Sequence, residues 1–397
     1  MRTTENAVRK AVENHLCEPM EILSITDRSF SEKGLNFLSD IEEITVKYRR
    51  TPEGKEGSVV FIVKLEPSNE FPKQMVDAQN TILVETRMLR DILPKVKQLI
   101  DHPIGPRLWY YCEDARALIM ENLIEQRFLM QDRQKGLSFE HCCLVLRILA
   151  KYHAATVAIH EKNPELVEQF KGNGIVAKEC IKSFFRLMEV SLLRISEQIK
   201  SWPDEKCVKA APKIAKMAES IVNDCIEAYE YDPDEFCVVN HGDCWINNIM
   251  FKENEKGEPV DLRMVDYQLS GYSSPAIDLI YFLNTCPELS IKYDKDDYFV
   301  ELYLNTLKET MKQIGCKTNA PSLKQLKASM HKRRAYAVFA GLVLKLRMIA
   351  NKEDTEDFTL VLQTYGGETR MNVFKHPNAV KMAKKMIPAM DERGYFD

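Results

Sequence analysis

Asp243, Asn248 and Asp266 carry the side chains whose types and spacing could do chemistry together. The first two lie in His241-Gly242-Asp243-Cys244-Trp245-Ile246-Asn247-Asn248, which reads H-x-D-x-x-x-x-N. The third closes an apolar stretch in Val265-Asp266-Tyr267-Gln268. Two carboxylates and an amide at these separations suit phosphoryl transfer from ATP to a hydroxyl. That reaction needs metal ions to neutralise phosphate charge and one carboxylate aimed at the attacking oxygen. On this reading Asp243 handles the acceptor hydroxyl, while Asn248 and Asp266 hold Mg²⁺. Asp243 alone would be an ordinary turn residue. Its pairing with two oxygen ligands, each after a predicted strand, gives it meaning.

Lys64 adds to the set. It ends the apolar run Val59-Val60-Phe61-Ile62-Val63-Lys64, and burying an unpaired ammonium there is costly. A strand lysine that holds nucleotide phosphates and pairs with a helix glutamate resolves the conflict. Glu85 lies 21 residues on, in the first strong helical pattern. The bland alternative is a strand-end lysine reaching to water. Ser31 to Ser39 separates the first two strands where a phosphate-covering loop belongs. It has the single Gly34 and so fails G-x-G-x-x-G, yet Asn36 and Ser39 can donate from a tight turn. The backbone from Glu121 to Leu123 is the expected adenine contact. His241 suits bracing of the backbone, since no nucleophile stands beside it. Asp278, 12 residues after Asp266, can accept from the catalytic-loop backbone. Trp245 reads as packing before substrate recognition.

These residues need elements to hold them. Glu21–Phe30, Glu43–Arg50, Ser58–Leu65, Arg107–Cys112 and Ala115–Met120 read as strands, by alternation or by β-branched apolar runs. Thr81 to Leu93 reads as a helix that Pro94 ends or kinks. Ser138 opens a helix with an apolar stripe at Val145, Ile148, Leu149, Tyr152 and Thr156. Helical patterns continue to about Asp234. A strand then runs through Phe236-Cys237-Val238-Val239, a hairpin covers Ile249–Lys252 and Val260–Asp266, and the remainder is mostly helical. Strands first and helices after predict an α+β protein with two lobes. The expected limits are 1–120 for a small strand-rich N-lobe, 121–127 for a hinge and 128–397 for a large helical C-lobe. Only a short segment separates Asp266 from Asp278, too little for a peptide-binding activation segment. About 80 helical residues precede the catalytic strand and can wall a pocket. Both features favour a small alcohol as acceptor.

The chain has 397 residues, 45% apolar and 29% charged, with a net charge of −4. That balance gives no reason to expect nucleic acid or an anionic membrane as partner. Eleven cysteines cannot all pair within one chain, and none form C-x-x-C. With a polar start and no run of 18 apolar residues, the expectation is a cytoplasmic protein with reduced thiols and no spanning helix.

Taken together, the segments resemble the ecdysteroid kinase-like (CHK kinase-like) family, in the aminoglycoside/choline kinase branch of the protein-kinase-like fold. His241 to Trp245, Asn247 to Phe251, Val265 to Gln268, Tyr272 to Pro275 and Asp278-Leu279 carry the resemblance. Lys33 to Asn36 with Ser39, Met120 to Leu123 and Leu149 to Ala154 support it, over about residues 20 to 350. Tyr267 stands where Phe is frequent, and Met120 precedes the hinge glutamate. The resemblance implies an ATP- and Mg²⁺-dependent kinase acting on a small-molecule alcohol, with no obligate protein partner. An ecdysteroid or similar bulky apolar hydroxyl compound is the first expectation. A choline-like or xenobiotic alcohol is the second, and a catalytically silent nucleotide-binding module the third.

Overall fold

The structure, a computed structural model, describes residues 5–29, 38–51, 54–349 and 373–397. It begins with a helix that the sequence reading passed over, α1 (Glu5–Leu16). There Ala7, Val8, Ala11 and Val12 recur at helical spacing and are buried. Three strands follow, β1 (Met20–Ser29), β2 (Asp40–Arg50) and β3 (Glu56–Leu65), each antiparallel to the next. Next come α2 (Glu70–Gln79), α3 (Thr81–Arg87), α4 (Leu93–Ile100), β4 (Leu108–Cys112) and β5 (Ala117–Glu121). The sheet order is β1-β2-β3-β5-β4, so β3 is its central strand. Val59, Phe61 and Val63 share a cluster with the apolar side of α1. Ile62, of opposite parity, packs toward the second lobe. Lys64 shares the parity of Ile62, which turns it toward the space between the lobes.

Pro94 does not end the helical run, although the sequence allowed it to end or kink it there. α3 continues into a π-helical stretch over Met88–Ile92, and α4 carries on to Ile100 with Pro94 in its first turn. The Leu93 N–H bonds back to Met88 O, five residues away. The widened turn comes just before the residue that lacks an N–H, so Pro94 starts a new α segment, where its ring is tolerated.

The second lobe is mostly helical. After β6 (Leu129–Met130) come α5 (Phe139–Lys162), α6 (Pro164–Glu168), α7 (Lys182–Ile199), α8 (Glu205–Met217) and α9 (Ile221–Tyr229). Next are β7 (Val238–Asn240), β8 (Ile249–Glu253), β9 (Pro259–Met264) and β10 (Gly271–Ser273). β6, β8 and β9 form one small sheet, and β7 and β10 a pair. The chain then forms α10 (Ala276–Thr285), α11 (Asp296–Gln313), α12 (Leu323–Lys332), α13 (Arg334–Val338), a π-helical stretch over Phe339–Lys345, α14 (Leu346–Met348) and α15 (Pro377–Glu392). α7 to α9 share a core with α10 and the helices from α13 onward. α5 and α11 share the other large core with the strands around the His241–Asn248 loop.

Ser138 caps α5, its hydroxyl accepting from the His141 amide. No spanning helix was expected, but α5 is long and apolar enough to cross a membrane by length and composition alone. Of its most apolar window, 83% is buried inside the fold. Its apolarity therefore follows from its place at the centre of a core. All eleven cysteines are unpaired; eight are buried, and Cys17 is exposed.

Candidate active site

β3 and α3 bring the first pair together. Lys64 Nζ lies 2.5 Å from Glu85 Oε2, with both side chains almost fully buried. The same ammonium lies 2.5 Å from Asp266 Oδ1, whose side chain is 27% exposed. Burial alone would push Lys64 down; the carboxylates of Asp266 and Glu85 outweigh it and hold the ammonium above its ordinary range. Glu85 is raised by burial, against the pull of Lys64. Its other oxygen accepts from the Tyr267 amide at 3.2 Å, which fixes α3 to the segment after Asp266. Asp266 has left-handed backbone, with φ 69° and ψ 60°, a conformation that favours glycine. Such a residue persists where the surroundings over-determine it. Here the His241 ring bonds Val265 O at 3.0 Å and the Val265 amide donates to Asn248 O at 2.9 Å.

Asp278 clamps the His241–Asn248 loop. It accepts from His241 N at 2.7 Å and from Gly242 N at 2.9 Å. His153 of α5 contacts the same carboxylate at 3.1 Å through Nε2, and its Nδ1 lies 2.7 Å from the Tyr303 hydroxyl. Gly242 has φ +84°, and a Cβ there would fall 1.9 Å from Leu269 O. Only glycine fits. His241 accepts from the Asp243 amide through Nδ1 at 3.3 Å, so Nε2 carries the proton given to Val265 O. Burial lowers its pKa, and both ring nitrogens are engaged. This is the geometry of a brace.

Asp243 follows directly. Asn248 Nδ2 donates to its carboxylate at 2.8 Å and to its backbone oxygen at 3.0 Å. Burial, then the charge of Asp266, pushes Asp243 up to about 7; Tyr281 and Asn248 pull the other way. Both donations from Asn248 use Nδ2, which leaves Oδ1 to act as an oxygen ligand. Asp266 uses Oδ1 on Lys64 and has Oδ2 to spare. Among the described residues no three His, Cys, Asp or Glu side chains gather into a self-sufficient metal site. Mg²⁺ asks for little more than this, being held by one or two protein oxygens with substrate phosphates and water. The donor set therefore fits Mg²⁺ carried in with a nucleotide.

The residues expected to contact a nucleotide lie further off. Glu121 ends β5 opposite Phe61, and its carboxylate is taken by Arg107 N at 3.0 Å and Gln126 Nε2 at 2.6 Å. What remains for a ligand is backbone: the Leu123 N–H has no hydrogen-bond partner among the described residues. Leu123, Phe128, Met250 and Val265 form a small apolar cluster beside it. Ser39 is buried directly before β2. Gly34 and Asn36 lie outside the described residues. Trp245 packs, partly buried, against both cores of the second lobe.

Sequence reasoning missed several supports. Asn240 ties the loop to β10 through Nδ2, on the oxygens of Gly271, Ser273 and Ser274. Thr156 of α5 accepts from Val239 N at 3.1 Å. His153 offered a signal, a basic residue within an apolar helical stripe; Asn240 and Tyr281 offered none.

A model of the family described as ecdysteroid kinase-like matches residues 33–316. Among solved structures, a glucosamine kinase (crystal form B) aligns over 95% of this chain and 93% of its own, at 12% identity and a TM-score of 0.27. That likeness is too loose to carry an argument. Among curated proteins, none matches the chain.

Proposed function

The chain belongs to the ecdysteroid kinase-like family, a kinase-like group of small-molecule phosphotransferases, and on that premise we propose that it transfers the γ-phosphoryl of ATP to the hydroxyl of a bulky, largely apolar alcohol such as an ecdysteroid. One observation carries the reading. Lys64, Glu85 and Asp266 meet at hydrogen-bond distance although 202 residues separate the lysine from the last, and Asp243 with Asn248 is tied to the same centre.

In this mechanism Lys64, held by Glu85, takes phosphate oxygens of the nucleotide. The adenine edge meets the backbone at Leu123. Asp266 and Asn248 would hold Mg²⁺, which when bound neutralises phosphate charge. Asp243 orients the acceptor hydroxyl and receives its proton; a carboxyl pushed to about 7 is a better proton acceptor than an ordinary aspartate. Asp278 and Gly242 hold the backbone that aims this carboxylate at the acceptor hydroxyl.

A bulky acceptor is favoured by α7 to α9, apolar helices that precede the strand leading into His241 and pack against the C-terminal helices. A choline-like acceptor would need exposed aromatic faces around its ammonium. Tyr229, Tyr281 and Tyr336 near Asp243 are buried, and the hydroxyls of Tyr229 and Tyr336 bond one another at 2.8 Å. The test is ATP consumption with Mg²⁺ over ecdysteroids, sterols, choline analogues and plant phenolics. Turnover with a polyhydroxylated steroid supports the proposal. Turnover with choline analogues alone overturns its acceptor, and ATP binding without turnover across the panel overturns catalysis.

A further inference from the structure

A buried cation stands near the catalytic loop and has no role in the transfer described above. Lys345 ends the π-helical stretch Phe339–Lys345 and is 1% exposed. Its ammonium has no hydrogen bond or ion pair among the described residues. Among the described residues, the Cys286 thiol and the Arg133 guanidinium are the groups whose charge acts most on it. Neither offers negative charge, since burial pushes Cys286 up to about 12. A third cation, Lys292, is also nearby and fully buried, but it donates to Leu283 O at 3.0 Å and Asn284 O at 2.7 Å. Asp296, the acid facing Lys292, is paired with Arg393 at 2.6 Å. Burial lowers Lys345 to about 8, which still leaves it mostly charged at neutral pH. An ammonium so nearly buried among cations, with no counter-ion among the described residues, is costly, and a ligand anion would relieve that cost. π-Helical turns of this kind are common at functional sites.

Its position points to the acceptor. Cys286 Sγ contacts the oxygen of Cys244, the residue after Asp243, at 3.6 Å. Tyr281, whose hydroxyl is directed at Asp243, lies little more than one turn before Cys286 along α10. Arg133, between β6 and α5, donates to Met348 O just past Lys345.

We propose that Lys345, with Arg133 beside it, binds an anionic oxygen group on the acceptor, so that the preferred substrate is a bulky apolar alcohol that also carries a carboxylate or sulfate. The assignment rests on the phosphoryl-transfer reading for the identity of the acceptor; the binding of the anion does not require turnover. Such an acceptor would set its hydroxyl at Asp243 and its anion at Lys345.

The experiment is calorimetric titration of the full chain with cholate and with cholate methyl ester, without ATP, for wild type, Lys345→Met and Lys345→Arg. Wild type is expected to bind cholate on the order of tenfold or more tightly than the ester, the scale of a hydrogen bond to a charged group. Lys345→Met should bind both alike and leave the KM for ATP unchanged, and Lys345→Arg should restore the preference. A wild type without the preference, including one that binds neither probe, overturns the proposal without recourse to a variant. So does a preference that survives in Lys345→Met. If the preference depends on Lys345 but no alcohol in the ATP-consumption panel is phosphorylated, the kinase reading fails while the anion site stands.

Discussion

Asn248 donates through one amide nitrogen to both the carboxylate and the backbone oxygen of Asp243, five residues earlier. A side chain that grips its neighbour twice leaves that neighbour little rotational freedom. The same amide leaves its oxygen free, so on the proposed mechanism one residue would both orient the proton acceptor and hold a cation. This coupling explains why the Asp-to-Asn spacing carries more information than either residue alone.

Asp243→Asn should lower kcat by about 10²–10⁴-fold, the usual scale of a general base, with ATP affinity nearly intact. Asparagine keeps the shape but cannot receive a proton. Initial rates with Mg·ATP, beside a fluorescent-nucleotide titration, measure both. A variant that retains more than half of the wild-type kcat would remove Asp243 from the reaction.

Lys64→Met should be destabilising as well as inactive. It leaves Glu85 buried beside Asp266 with no cation between them, and breaking a buried ion pair from one side typically costs about 3–5 kcal/mol. Adding Glu85→Gln should recover much of that stability and none of the ATP binding. Urea titrations of the single and double variants make the comparison. Equal stability of Lys64→Met and wild type would show that the pair contributes nothing net.

Asp266→Ala should shift the Mg²⁺ dependence of the rate to higher concentration and lower the rate itself, because it removes a carboxylate from a site with few protein oxygens. Titrating Mg²⁺ at fixed ATP reads the midpoint. An unchanged midpoint at an unchanged rate would mean that Asp266 is no ligand.

The two-lobe α+β architecture was legible because hydrophobic period is local: alternation marks β2, the apolar run marks the central β3, and the stripe with its serine cap marks α5. What escaped was set by tertiary context. α1 is short, and its four buried apolar residues mean little until the sheet offers a face to cover. Pro94 reads as a stop only if the helix before it keeps its α period, and the π turn at Met88–Ile92 is invisible to that logic. The candidate site shows the same division. The types and spacing of Lys64, Asp243, Asn248 and Asp266 stand in the sequence. His153 and Asp278, 125 residues apart, share one hydrogen bond that no local pattern announces. Lys345 in an apolar helix was visible as a residue, but its lack of a counter-ion among the described residues is a property of the packed molecule.

Asp261 supplies a prediction of stability against pH. In β9 its carboxylate meets His102 Nε2 at 2.8 Å and Arg263 at 2.9 Å, and accepts from Leu262 N at 2.8 Å. Burial alone would raise its pKa; the His102 bond, the Arg263 charge and the Leu262 amide outweigh it and hold the carboxyl at about 2. A folded-state pKa below the unfolded value of about 3.9 means that the ionised form stabilises the fold. That contribution is present in full above roughly pH 4 and is lost as pH falls through about 2. With the side chain 32% exposed, solvent screening reduces it to roughly 1–2 kcal/mol. Asp261→Asn should therefore be less stable than wild type at about pH 6, with the gap closing between about pH 4 and 2. Urea unfolding of both proteins across that range measures the gap. A gap that stays constant down to about pH 2 would show that the Asp261 carboxylate does not titrate in this window.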